Sequence, residues 1–189
     1  MRIVGGALGG RPLVAPKGRE TRPTTDRTRE SLFNILTHRA DLSLEGARIL
    51  DLFAGSGALG FEAISRGGAF CLFVDIAAGA RGAIRENQMA LGLAGRTRLH
   101  RRSATALGPK PSGMGPPFDL AFLDPPYGEG FVAPALDALR SGQWMATGAL
   151  VVAEMAQTDE TPQVTGYALD DERRFGDTKI VFLIVEEGL

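Results

Sequence analysis

The chain has 189 residues, 44% of them hydrophobic and 23% charged, with a formal net charge of −1; that suffices for one domain with a sizeable core and excludes a disordered chain or a disulfide-stapled scaffold. One cysteine, Cys71, and two histidines, His38 and His100, leave no internal disulfide and no ligand set for structural zinc, so no metal and a reducing cytoplasm are expected. No apolar run approaches the ~20 residues of a membrane span, and the start Met1-Arg2-Ile3-Val4-Gly5-Gly6 is too glycine-rich for a signal peptide, so neither membrane nor secretion is expected.

Along the chain, residues 2–15 carry two apolar patches around Gly9-Gly10 and read as a short β-hairpin. A Pro/Gly/Arg connection leads to about residue 23. A helix then begins, capped by Thr24 or Thr25, with Leu32, Phe33, Ile35 and Leu36 at helical spacing and Arg27, Ser31, Asn34 and His38 on its other face. Apolar strands alternate with helices from there on: strand 48–52, a helix from 58, strand 70–75, helix 77–91 and a short strand 98–101. A Gly/Pro-rich loop over 108–117 precedes strand 118–123, helix 132–139, strand 149–154 and a closing pair near 164–169 and 179–185. This alternation predicts an α/β fold with a mostly parallel, Rossmann-like sheet, helices on both faces and an antiparallel last strand. Residues 1–40 form an N-terminal hairpin-and-helix extension on a body spanning 41–189.

Two motifs carry chemistry. Asp51-Leu52-Phe53-Ala54-Gly55-Ser56-Gly57-Ala58-Leu59-Gly60 ends the first buried strand and opens a helix. Glycine permits a sharp left-handed turn and lets a ligand approach backbone near helix N-terminal amides. Asp75 ends the next strand, where a carboxylate can accept from both ribose hydroxyls of an adenosine-containing cofactor. A nicotinamide dinucleotide, S-adenosylmethionine or a ligand-free packing turn all suit this pattern. Asp51 tilts the balance, because its charge would repel a pyrophosphate and attract a sulfonium and an amino group.

The second motif, Asp124-Pro125-Pro126-Tyr127, follows strand 118–123 at the sheet edge where α/β proteins bind ligands. Its bland reading is a rigid turn. Two prolines remove amide donors and leave carbonyls free, Asp124 adds acceptors, and Tyr127 supplies a flat ring. That set fits an exocyclic amine, held by Asp124 and the Pro125 carbonyl with Tyr127 stacked on the base, which must be unpaired or flipped out.

The near-neutral total hides an asymmetry. Residues 1–40 hold eight basic and three acidic side chains, net +5, while the remaining 149 carry −6. A basic arm suits a polyanion; a solvated basic surface is the plainer alternative. His100 beside Arg98, Arg101 and Arg102 reads as a solvated basic patch rather than a catalytic base. Other chemistries fail on inventory. Cys71 lies inside an apolar strand, Ala54 stands where a hydrolase elbow needs its first glycine, and no phosphate-loop Gly-Lys-Ser/Thr is present.

The stretch 22–36 (Arg-Pro-Thr-Thr-Asp-Arg-Thr-Arg-Glu-Ser-Leu-Phe-Asn-Ile-Leu), the glycine turn 51–60 and Asp124-Pro-Pro-Tyr127, with Arg2-Ile-Val-Gly-Gly6 and residues 174–182, together resemble the RsmD family of class I S-adenosylmethionine-dependent methyltransferases. The resemblance implies a 16S rRNA (guanine-N2)-methyltransferase acting on one guanine, of the guanine-966 type, in the small ribosomal subunit or its assembly intermediate. It implies S-adenosylmethionine as cofactor and S-adenosylhomocysteine as product; a monomer is the default expectation. Asp51, Phe53, Ala54, Gly55, Ser56, Gly57, Gly60, Asp75, Ser103 and Ala104 would bind the cofactor, Asp124, Pro125, Pro126 and Tyr127 the target amine, and Arg11, Arg22, Thr24, Arg27, Arg29 and Asn34 would face the RNA. Asp75 stands where the family commonly has Glu, and Ser103-Ala104-Thr105 where this fold commonly has an acidic acceptor for adenine. The alternatives are the same turn acting on adenine N6, cytosine N4 or a glutamine amide. From another class, a nicotinamide-dependent oxidoreductase or a non-catalytic cofactor-binding regulator remains open.

Overall fold

The computed structural model describes residues 1–16 and 25–187. Its parallel strands form where the chain is apolar on both faces: β1 (Arg48–Leu52), β2 (Phe70–Val74), β4 (Phe118–Leu123) and most of β5 (Met145–Ala156) are buried on both sides. β3 (Thr97–His100) pairs parallel to β2, and β7 (Thr178–Val185) runs antiparallel to β5 and to β6 (Tyr167–Phe175). The seven strands lie in the order β3-β2-β1-β4-β5-β7-β6. The chain leaves β1 towards β2 and β3, then returns to the other side of β1 as β4. That reversal opens a crevice at the C-terminal ends of β1 and β4, the place where such sheets receive ligands.

One core packs α2 (Ala58–Ser65) and α3 (Ala78–Leu91) against one sheet face, and a second packs α4 (Val132–Ser141) against the other. The first core also holds Ile3 and Leu13, with Leu32, Phe33 and Leu36 from α1 (Asp26–Thr37), so the basic N-terminal region is seated on the sheet. Thr25 caps α1 by accepting from the Thr28 amide at 3.1 Å. Among the described residues no helix is long and apolar enough to cross a membrane.

The first residues close as the expected short hairpin: Arg2 and Pro12 form an antiparallel bridge, Ile3 N donates to Arg11 O (2.9 Å) and Leu13 N to Met1 O (3.0 Å), and a 3-10 turn at Gly6–Leu8 joins the two sides. Other amides of this segment reach the body, because Glu62 of α2 accepts from Val4 N (2.7 Å) and Gly5 N (2.8 Å), and Asn87 of α3 accepts from Val14 N (2.8 Å). One expectation needs correction: the closing strand expected at 164–169 is β6, displaced to Tyr167–Phe175. It is a solvated sheet edge reading Asp-Asp-Glu-Arg-Arg in its middle, and charge on an edge strand guards against pairing rather than signalling a loop.

Glu62 is completely buried and also accepts from Arg66 Nε at 2.8 Å, so it ties the first residues to α2. Glu62→Ala would strand two backbone amides and two arginines. It is expected to cost about 3–5 kcal/mol, read as a lowered urea midpoint with an unchanged slope.

Candidate functional site

Asp51 is the penultimate residue of β1, and the chain then turns sharply into α2. Three residues of the turn take positive φ: Phe53 (56°), Gly55 (57°) and Gly57 (79°). A Cβ on Gly57 would sit 2.6 Å from the Phe61 ring, and one on Gly60 would sit 2.4 Å from Phe73 and 3.0 Å from Asp51 Oδ2. These two glycines therefore let α2 close onto β1 and β2. They stand behind the cleft wall, while Phe53, Ala54, Gly55 and Ser56 line it. Phe53 is the non-glycine residue held in the left-handed region there, a local strain of the kind that gathers at binding turns.

Carboxylates lock the turn. Asp51 Oδ2 accepts from Gly60 N at 2.9 Å; Asp75, just past β2, accepts from Gly55 N at 2.9 Å and from Ala77 N at 2.8 Å. The Gly55 amide on the cleft wall is thus already engaged by a carboxylate, and so is the Gly60 amide behind it. Burial pushes the Asp51 carboxyl up to about 8, against the Gly60 amide and with help from the charge of Asp75.

Asp124 follows β4 directly, half-buried, with its carboxyl held well above the usual range by burial and then by the charges of Glu154 and Asp51. Pro125 is buried and Pro126 exposed. Tyr127 lines the cleft and is 40% exposed, while its hydroxyl donates to Glu154 Oε1 at 2.5 Å and meets Thr178 Oγ1 at 2.7 Å. Burial and then Glu154 push the phenol above its ordinary value. Phe53 and Phe131 stack with ring centres 6.0 Å apart on the same wall.

These groups border one cleft of about 600 Å³. It brings together Asp51, the 53–56 turn, Asp75, Ser103, Ala104 and the whole Asp124–Tyr127 turn, which lie far apart in the sequence. Ser103 Oγ is occupied locally, hydrogen-bonded to Thr105 Oγ1 at 2.9 Å and accepting from Thr105 N at 3.3 Å.

Of the residues expected to face RNA, Arg11, Arg27 and Asn34 are exposed, and Arg11 donates to Ala90 O at 2.7 Å. Arg22 and Thr24 lie outside the described residues. Arg29 is corrected: only 1% exposed, it turns inward to Asp26 Oδ1 (2.8 Å) and the Arg2 carbonyl, and its buried Nε, 3.8 Å from Glu62, has no hydrogen-bond partner. Helical phase explains this, since Arg29 shares the inward face with Leu32, Phe33 and Leu36.

Two wall residues, Phe131 and Met1, carry no motif signal. Glu154, which anchors Tyr127 from β5, escapes motif reading too, although a carboxylate near the end of the strand beside β4 is the signal that could find it.

The fold and site define a class I methyltransferase architecture. A family model described as conserved hypothetical protein 95 matches residues 1–184, and the chain belongs to that family, the RsmD family of methyltransferases. YlbH of Bacillus subtilis, provisionally named an rRNA methyltransferase, is 37% identical over 166 residues, 88% of either chain. Ribosomal RNA small subunit methyltransferase D of Escherichia coli is 34% identical over 164 residues, 87% of this chain and 79% of its own. The solved structure of E. coli yhhF, provisionally named a methyltransferase, superposes with a TM-score of 0.82 at 32% identity, covering 98% of both chains.

The Tyr127 anchor is directly measurable. In the folded protein neither tyrosine should ionise in the ordinary phenol range, because burial also raises Tyr167. Glu154→Gln should lower the Tyr127 transition and leave Tyr167 in place, followed by phenolate absorbance during alkaline titration. No shift would show that the anchor does not form.

Proposed function

We propose that this protein transfers a methyl group from S-adenosylmethionine to the exocyclic N2 amine of a guanine in small-subunit rRNA. The observation that carries this reading is the pairing, in one cleft, of a carboxylate-locked glycine turn with the acceptor-rich Asp124–Tyr127 turn. The names of the E. coli and B. subtilis relatives support rRNA as the substrate class.

The donor set fits the cofactor on chemical grounds. Asp51 faces the cleft where a cation would relieve its burial and its repulsion from Asp75. Asp75 is oriented by two amides and keeps lone pairs for ribose hydroxyls, and Ala54, Ser56, Ser103 and Ala104 supply wall and backbone groups. When bound, S-adenosylmethionine would supply an electrophilic methyl group on a sulfonium.

The chain's own residues do the rest. Asp124 and the Pro125 carbonyl accept the two amine hydrogens of an unpaired guanine, and the Tyr127 ring, pinned through its hydroxyl, offers a stacking plane. Most of the rate gain comes from this positioning. The amine is uncharged and needs no deprotonation before attack; once methylated it is acidic and loses a proton to solvent or to Asp124 in its ionised form.

Asp124→Ala should lower labelled methyl transfer to unmodified small subunits by about 10²–10³-fold while cofactor affinity stays within a few-fold; a wild-type rate would remove Asp124 from the mechanism. Cofactor affinity should also depend on pH. Burial keeps Asp51 protonated up to about pH 8, and a cationic ligand favours its ionised form, so affinity should climb as pH rises towards 8 and level off above. Asp51→Asn should flatten the profile in a calorimetric titration.

A further inference from the structure

The mechanism leaves one strongly charged surface unused. Residues 76–117 carry seven basic side chains (Arg81, Arg85, Arg96, Arg98, Arg101, Arg102, Lys110) against one acidic, Glu86. Among the described residues none of the seven forms a salt bridge, whereas Arg2, Arg29, Arg39, Arg66, Arg140, Arg173, Arg174 and Lys179 all do. Four of the seven sit on or next to β3, the edge strand: Arg96 just before it, Arg98 within it, and Arg101 and Arg102 just after it. Arg98 and Arg101 are exposed, Arg102 lines the cleft itself, and His100 lies between them. Burial first, and then the charges of Arg102 and Arg98, lower the His100 proton affinity, and burial with Arg98 lowers that of Arg48. Arg81 and Arg85 follow on α3, the helix that packs against β3.

Charge on an edge strand can serve only to block pairing with another chain. That role does not require the row to run on to the mouth of the site through Arg102. Uncompensated like charges repel, and an anion lying across them removes that cost and releases counterions.

We infer that the β3 edge, through Arg98 and Arg101, is a second RNA-binding surface that grips the phosphate backbone of the substrate and leads the target nucleotide past Arg102 into the cleft. This rests on rRNA being the substrate. It gives the RNA two holds on the protein, α1 on one side of the chain's first core and the β3 edge at the other end of the β1–β3 half-sheet.

The test is the double variant Arg98→Gln/Arg101→Gln, which keeps polar side chains and touches no cofactor-binding residue. Wild type and variant are compared for methyl transfer to unmodified small subunits and for binding to naked 16S rRNA across a salt series, with cofactor affinity as the control for folding. Removing two phosphate contacts should raise the RNA KM by about tenfold and reduce the slope of log affinity against log salt by about 1.4–1.8. Cofactor affinity and kcat should stay within twofold. If wild type methylates the subunit and the variant shows the same KM and salt slope, the surface inference fails alone; aggregation of the variant with unchanged RNA affinity has the same meaning and assigns the charges to edge protection. Weakened transfer to subunits with unchanged binding to naked rRNA overturns it in favour of a ribosomal-protein contact. If wild type labels no rRNA at all, the substrate reading itself fails, and this inference with it.

Discussion

Four adjacent strands, β2, β1, β4 and β5, each bring a carboxylate to the same sheet edge: Asp75, Asp51, Asp124 and Glu154. Gathering negative charge in a poorly hydrated place is unfavourable, and the structure shows how the cost is held down. Asp51 and Asp75 accept backbone amides of the glycine turn, Glu154 accepts the Tyr127 hydroxyl, and the Asp51 and Asp124 carboxyls are driven towards their protonated forms. The same contacts that relieve the carboxylates hold the two turns in place. An edge built this way is suited to a ligand with positive charge and hydrogen-bond donors, and unsuited to one led by phosphates.

The turn cannot be held by glycine alone. Gly57 and Gly60 allow α2 to approach, but α2 is also braced from outside by the first residues of the chain, whose amides fall on Glu62 and Ser65. Through this brace Met1 reaches the cleft, with its sulfur 3.4 Å from Ser56 Oγ. Arg29, buried beneath, joins α1 to the same assembly. The N-terminal region thus supports the cleft as well as offering Arg11, Arg27 and Asn34 to solvent.

Much of this was legible in the sequence, for physical reasons that differ by residue. The glycine turn and Asp75 were legible because a sharp strand-to-helix turn restricts residue type strongly, and the prolines of 124–127 because they remove donors whatever surrounds them. The parallel strands were plain because burial on both faces demands unbroken apolar runs. β6 was displaced in the reading because a solvated edge permits charges. The burial of Arg29 depended on packing against Glu62, 33 positions away. The sequence marks Arg98, Arg101 and Arg102 as a basic patch, but not that it lies along the edge of the sheet and reaches the cleft, because strand order and the cleft wall are set by long-range packing.

The decisive measurement is a calorimetric titration of the purified protein with S-adenosylmethionine and, separately, with a nicotinamide dinucleotide. A cleft whose turn amides are already occupied by Asp51 and Asp75 should bind the sulfonium cofactor and give no measurable heat with the dinucleotide. Tighter binding of the dinucleotide would contradict the carboxylate-edge account and, with it, the assignment of methyl transfer to this cleft.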